Sequence, residues 1–229
     1  MTARFITSSG TGIGKTLVTA ALAHQLRVAG RDVRAIKPVI SGFAPETAAE
    51  SDTGILLAAL GEAVTEDSVA RISPWRFAAP LAPDLAAARE GRTLELDEVV
   101  GFCRDAADVA ARDGGVLLIE GVGGVMAPMT RDATVADWMA ALAIPAILVV
   151  GSYLGAISHA LTADEALAAR AIPLAAVVVS ESDASSVALE DTIESMARFL
   201  PGTRMITFGR LGGGIDAWRE APDLLGALD

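Results

Sequence analysis

The chain has 229 residues, of which 52% are hydrophobic, and a formal net charge of −11. That length suits one domain with a sizeable core, and the acidic balance excludes the basic stripe that a nucleic-acid partner normally requires. A single cysteine, Cys103, excludes an internal disulfide, and with only His24 and His159 beside it a Cys/His zinc site is excluded too. Any metal must therefore be held by oxygen.

The first strand, Arg4 to Thr7, begins within a few residues of the start, which leaves no room for an export signal and sets the expectation of a cytoplasmic chain. Directly behind it lies Ser-Ser-Gly-Thr-Gly-Ile-Gly-Lys-Thr, residues 8 to 16, ahead of an alanine- and leucine-rich helix over 15–29 that stops at Gly30. Strand, glycine-rich loop and helix together form a hollow of inward-pointing N–H groups at the positive end of a helix, which suits a phosphate. Lys15 supplies a charge for the terminal phosphates and Thr16 a hydroxyl for Mg²⁺. The usual phosphate-loop pattern has glycine five residues before Gly14, where this chain has Ser9. His24 reads as a surface or packed residue of the helix.

A second strand over 32–37 ends at Pro38, and Val39 to Gly42 reads as a loop. Asp52 stands at the start of a helix carrying Ile55, Leu56, Ala59 and Leu60, where it is either a simple N-cap or a functional carboxylate. Residues 73–83 are proline-rich and read as an irregular connection with Trp75 and Phe77 packed into the core. Helices are expected over 84–89 and 94–112, the second burying an inert Cys103. Gly115 to Glu120 is the clearest central strand, continuously apolar and ending in a carboxylate beside Gly121-Val122-Gly123-Gly124. A helix over 134–142, an apolar strand over 146–151, a helix over 155–170, a strand over 174–179, a helix over 187–199 and a last strand over 203–207 complete the alternation. The apolar run over 143–150 is broken by Pro145 and too short to span a bilayer, so no membrane partner is expected.

Alternating strands and helices imply a doubly wound, mainly parallel α/β sheet of the P-loop nucleoside triphosphate hydrolase type, over residues 1–229 as one domain. Ligands in such sheets lie outside the carboxyl ends of the strands. Lys37, Glu120, Gly151 and Ser180 all end strands, so with the phosphate loop they should share one edge, where Thr16, Asp52 and Glu120 offer oxygens to Mg²⁺. Lys37 is expected to face a solvent-lined site, so that its replacement by alanine spares the fold.

The chain resembles the dethiobiotin synthetases, ATP-dependent ligases of biotin synthesis. The resemblance rests on residues 10–16 (Gly-Thr-Gly-Ile-Gly-Lys-Thr), 37–42 (Lys-Pro-Val-Ile-Ser-Gly), 51–52 (Ser-Asp), 120–124 (Glu-Gly-Val-Gly-Gly), 136–138 (Ala-Asp-Trp) and 154–160 (Leu-Gly-Ala-Ile-Ser-His-Ala). It implies that 7,8-diaminononanoate, CO₂ and ATP are joined into dethiobiotin through a carbamate and a carbamic-phosphoric mixed anhydride. Lys15 and Lys37 would flank the reacting groups. Gly12, Ile13, Gly14, Lys15, Thr16 and Ser180 would bind ATP; Thr16, Asp52 and Glu120 would bind Mg²⁺; Thr11 and Ser41 would contact substrate or phosphate. Gly155, Ala156, Ile157 and Ser158 would hold the substrate carboxylate from the partner subunit of a homodimer, with His159 packed in the same turn.

The chain departs from most members at Gly12, where they carry an acidic residue, and at Ser8, where they carry glycine. Ser180-Glu181 replaces a common Asn-Asp, and a serine hydroxyl cannot make the two-point amide contact to a base. The proline-containing segment usual after the last strand is absent, so Phe208 to Leu211 gives no basis for assigning nucleotide contacts. The alternative with the same fold is a partition or septum-siting switch ATPase, which would need a basic surface or an amphipathic membrane tail.

Overall fold

A computed structural model describes residues 2–183 and 185–228. Six strands form one parallel sheet in the order β2-β5-β1-β6-β7-β8, comprising β1 (Thr2–Ser8), β2 (Val33–Ile36), β5 (Val116–Glu120), β6 (Ala146–Val150), β7 (Leu174–Ser180) and β8 (Arg204–Phe208). All five residues of β5 and all five of β6 are buried, which explains their uninterrupted apolar runs: each strand is covered on both faces. The helices are α1 (Lys15–Val28), α2 (Asp52–Leu60), α3 (Glu66–Ile72), α4 (Pro83–Arg89), α5 (Leu96–Arg112), α6 (Val135–Leu142), α7 (Ala156–Ala168) and α8 (Leu189–Ala197). Among the described residues no helix is long and apolar enough to cross a membrane.

Three features differ from the sequence expectation. Val39–Ser41 is not a loop but strand β3, and Trp75–Phe77 within the proline-rich connection is strand β4; the two pair in parallel as a separate small sheet. Pro38 lacks the N–H that would continue β2, so the chain leaves the main sheet there and finds a new partner, with the Trp75 N–H donating to the Pro38 carbonyl at 3.1 Å. Helix α3 was not anticipated, although Thr65 and Ser68 exchange backbone and side-chain hydrogen bonds at 2.9 and 3.1 Å in a reciprocal cap. The tail, illegible in sequence, is anchored by Trp218, which is fully buried and meets the His24 ring of α1 edge-on at 5.0 Å.

Cys103 is buried on α5, and desolvation pushes its thiol up to about 12, so it stays a protonated, inert core residue. Phe5 and Trp138 meet edge to face at 4.8 Å in the centre of the molecule, an arrangement that adds about 1 kcal/mol to what their burial contributes.

Helix α6 follows the loop after β5 and is secured at its start by Asp137. One carboxylate oxygen accepts from the Thr134 N–H at 2.7 Å and the Thr134 hydroxyl at 2.6 Å, and the other accepts from Arg170 Nε at 2.9 Å. The Thr134 bonds first, and Arg170 after them, hold the carboxyl down to about 2. Because the folded value lies below the unfolded one, the stabilisation is full above the unfolded pKa of roughly 3.9 and is lost as pH falls through the folded value. Asp137→Ala is expected to cost about 1–2 kcal/mol near neutral pH. In urea titrations the gap between wild type and variant should narrow below pH ~4; a gap independent of pH would show that the carboxylate charge is not what secures the helix.

Candidate active site

The site lies at the carboxyl edge of the main sheet, where β1 gives way to the glycine loop. Gly14 closes that loop at φ 100°, a left-handed conformation natural to glycine, and α1 starts at the next residue, Lys15. The loop is the common wall of two cavities. Thr11 to Gly14 line both.

The first cavity, of about 660 Å³, is lined by Lys15, Thr16, Lys37, Ser41, Asp52 and the loop after β5, together with Thr11 to Gly14. Lys37 follows β2 and Glu120 ends β5; the parallel register pairs Ile36 with Ile119, which sets the two side chains side by side. Lys37 Nζ donates to Glu120 Oε1 at 2.7 Å and to the Gly121 carbonyl at 3.1 Å, and lies 2.9 Å from Asp52 Oδ2. The Thr16 hydroxyl donates to Glu120 Oε1 at 2.8 Å.

Asp52 reaches this group because α2 is capped by its neighbour: the Ser51 hydroxyl accepts from the Gly54 N–H at 3.2 Å. Asp52 is therefore not the N-cap, and its carboxylate is free to face Lys37. Gly54 makes this possible, because a Cβ there would lie 2.2 Å from the Ala48 carbonyl oxygen. The buried Thr53 and Ser73 hydroxyls, 2.7 Å apart, tie the same turn to the segment before β4.

The lysine side chain is only 3% exposed and Glu120 is 0% exposed, so the expectation of a solvent-facing Lys37 is corrected: it is buried between Glu120 and Asp52, and of the three only Asp52, 42% exposed, reaches solvent. Burial would by itself lower the Lys37 pKa, but the Glu120 and Asp52 carboxylates outweigh it and raise the value above that of a free lysine. The group stays an ammonium at all working pH values and cannot serve as a base. Burial likewise opposes ionisation of Asp52, and the Lys37 charge and hydrogen bond overcome it, lowering its pKa. Among the described residues Lys15 has no carboxylate in direct contact; desolvation first, and the Lys37 charge second, lower its pKa to about 8.

One acceptor of the cluster is not used. Glu120 Oε2, which is buried, has no hydrogen-bond partner among the described residues, an expensive condition for a carboxylate oxygen unless a cation is to meet it. Among the described residues no three His, Cys, Asp or Glu side chains gather as a metal site. Two carboxylates and one hydroxyl are nevertheless the size of donor set that Mg²⁺ takes when phosphates and water fill its remaining positions, so the residues fit that ion.

The second cavity, of about 560 Å³, is bounded by Thr11 to Gly14, Tyr153, Ser180 to Asp183 and Phe208 to Gly212, among others. Ser180 is thus at the loop, as the strand ends required. The stretch after β8, to which no nucleotide contact could be assigned from its residues alone, forms the opposite wall. It is tied across by the Arg210 N–H donating to Glu181 Oε2 at 2.9 Å and by an Arg210–Asp183 ion pair.

Residues 155–158 are the exception: none of them lines either cavity. Gly155 precedes α7 at φ 96°, Ala156 is buried, and Ser158 and His159 are exposed beside Leu154, which is 87% exposed. His159 is therefore not packed as expected; its Nδ1 lies 2.8 Å from the Tyr153 hydroxyl. Residues missed in sequence are Ile40 and the Pro80–Pro83 segment, which give the first cavity an apolar side. The two prolines were the only signal there.

A parallel sheet with its phosphate loop after the central strand β1, a lysine and a threonine opening the next helix and two carboxylates on the same edge define a P-loop nucleoside triphosphate-binding protein. Comparison with known proteins agrees. The family model described as "AAA domain" matches residues 2–206. Solved structures with the same fold include the MinC:MinD cell division protein complex of Aquifex aeolicus (TM-score 0.57, 14% identity, covering 96% of this chain and 86% of that one). Another is chloroplast FtsY from Physcomitrella patens (TM-score 0.55, 14% identity, 94% and 60%). At such identities they speak for the fold alone. Curated relatives speak for more. The chain is 52% identical, over 93% of its length and 95% of the relative's, to the ATP-dependent dethiobiotin synthetase BioD of Methylobacterium nodulans. It is 48% identical, over 100% and 96%, to that of Caulobacter sp. strain K31. The chain belongs to the ATP-dependent dethiobiotin synthetase family, ligases of biotin biosynthesis.

The ion group makes a direct prediction. Lys37→Ala leaves Glu120 buried without its cation, and breaking such a pair costs about 3–5 kcal/mol. The variant should unfold at clearly lower urea concentration than wild type, and Lys37→Ala combined with Glu120→Gln should recover part of the loss. A single variant as stable as wild type would show that the group is not held together in solution.

Proposed function

We propose that the chain acts as a single cytoplasmic ligase domain, residues 1–229, that carboxylates 7,8-diaminononanoate with CO₂ and closes the ureido ring at the expense of ATP. The observation that supports this most directly is the placing of two ammonium groups, Lys15 and Lys37, on one cavity beside the phosphate loop. Lys37 is permanently charged.

An amine of the substrate adds to CO₂ to give a carbamate, a weak electrophile with a poor leaving group. Transfer of the γ-phosphoryl group of ATP to a carbamate oxygen gives a mixed anhydride and ADP. The neighbouring amine then attacks the carbonyl carbon, loses its proton, closes the ring and expels phosphate. Negative charge gathers on the carbamate and the transferring phosphoryl group at each stage. Lys37, held between Glu120 and Asp52, steadies it without giving up a proton, and Lys15 meets the terminal phosphates from the loop side.

The N–H groups from Gly12 to Thr16, with Ile13 and Gly14 between, cradle the phosphates, while Ser180 borders the nucleoside. Thr11 and Ser41 bond phosphate or substrate, and Ile40 with Pro80 and Leu81 take the alkyl chain of the diamine. Thr16, Asp52 and Glu120 would hold Mg²⁺, which when bound neutralises phosphate charge. The start of α7, Gly155 to Ser158, with Gly155 and Ser158 exposed, is suited to the substrate carboxylate of a second subunit, since helix-start N–H groups favour an anion. A homodimer would then complete each site.

The test is phosphate release by the purified protein with Mg-ATP, with and without bicarbonate and 7,8-diaminononanoate. Release should require both, and mass spectrometry should find dethiobiotin. Release that needs neither would instead indicate a switch ATPase. Asp52→Asn should raise the Mg²⁺ concentration needed for half-maximal release about tenfold or more; an unchanged Mg²⁺ titration would take Asp52 out of the metal site.

A further inference from the structure

Ser8 is the last residue of β1 and its side chain is completely buried. Its position is fixed from both sides: the Ser9 N–H donates to the Val149 carbonyl at 3.1 Å, and the Ser8 carbonyl accepts from the Val125 N–H at 2.9 Å. A hydroxyl at this point has two kinds of neighbour. The carbonyls of Gly10, in the phosphate loop, and of Gly123, after β5 at 3.1 Å, are acceptors for its single proton. Lys15 Nζ, at 3.1 Å, donates to its oxygen.

Lys15 is itself buried and its other contact, the Gly10 carbonyl, is at the 3.5 Å limit of a hydrogen bond. An ammonium has three donors. Among the described residues the Ser8 oxygen is thus its one well-formed partner, leaving donor capacity for the cavity that Lys15 lines.

We propose that Ser8 is a positioning residue: its hydroxyl, oriented by the loop carbonyls, fixes the Lys15 ammonium at the end of β1 with a donor directed at the terminal phosphates of the nucleotide. The inference rests on the reading of Lys15 as the phosphate-binding lysine. An unpartnered, desolvated ammonium would otherwise swing toward the Asp52 and Glu120 carboxylates, whose charges already act on it. In that position it would compete with Lys37 for the carboxylates and leave the phosphate unattended. A flexible four-carbon stem gives a lysine no orientation of its own, so a fixed oxygen near its tip determines where the charge rests.

The experiment is calorimetric binding of Mg-ATP and of AMP, without the diamine, to wild type, Ser8→Ala, Lys15→Met and the double variant. Ser8→Gly, which removes the same oxygen with less bulk, is made in parallel, so that the test does not depend on one variant folding. Loss of the Ser8 hydroxyl should weaken ATP binding about 5- to 10-fold and leave AMP, which lacks the phosphates that Lys15 meets, unchanged. In the Lys15→Met background it should weaken nothing further, because a double-mutant cycle cancels effects that do not pass through the pair. Equal weakening of ATP and AMP would overturn the proposal in favour of a loosened loop, as would the same loss in the Lys15→Met background. Wild-type ATP affinity in Lys15→Met alone would remove Lys15 from phosphate binding, a result distinct from a silent Ser8 in a protein that needs its lysine.

Discussion

The ammonium of Lys37, buried between the carboxylates of Glu120 and Asp52, is the interaction on which the site end of the molecule depends. Taking the Lys37 and Glu120 charges out of water costs several kcal/mol each, and the cost is met only where the partners are held at hydrogen-bond distance; Asp52 joins them from a partly exposed side chain. Glu120 closes strand β5, Lys37 follows its neighbour β2 at the sheet edge, and Asp52 opens α2. Main-sheet register brings the first two together and the close approach of Gly54 to the 3-10 turn at residues 45–50 brings the third. The charge group therefore ties the strand ends to a helix that belongs to neither strand's own layer.

The same edge carries two hollows. The apolar core of the sheet ends at Ile36, Ile119 and Val150, and beyond it the chain turns polar at every strand end. Because the strands are parallel, all of those ends face one way, and because β1 lies between β5 and β6, its loop stands between the ion group on one side and Ser180 on the other. The local motif places Lys15, but its nearness to Lys37 on one side and Ser180 on the other is a consequence of strand order.

Much of this could be read from the chain itself. Continuous apolar runs marked β5, β6 and β7, the glycine loop marked the end of β1, and the rule that ligands gather at carboxyl ends placed Lys37, Glu120 and Ser180 on one edge. What the sequence concealed depended on contacts distant along the chain. The three-residue strands β3 and β4 are too short for periodicity to show, and their pairing follows only from the departure of the chain at Pro38. Asp52 was legible as a helix start but not as a free carboxylate, since that depends on Ser51 taking the capping role. The burial of Lys37 is hidden in the sequence because a lysine at a strand mouth gives no local sign that two carboxylates will pair with it. The wall formed by Phe208 to Gly212 carries glycines and no pattern, and only the crossing from Arg210 to Glu181 and Asp183 gives it shape.

The shared wall between the cavities has a mechanical consequence. Thr11 to Gly14 line both hollows, so a displacement of that loop toward one of them takes room from it and gives room to the other. The two cannot be reshaped independently.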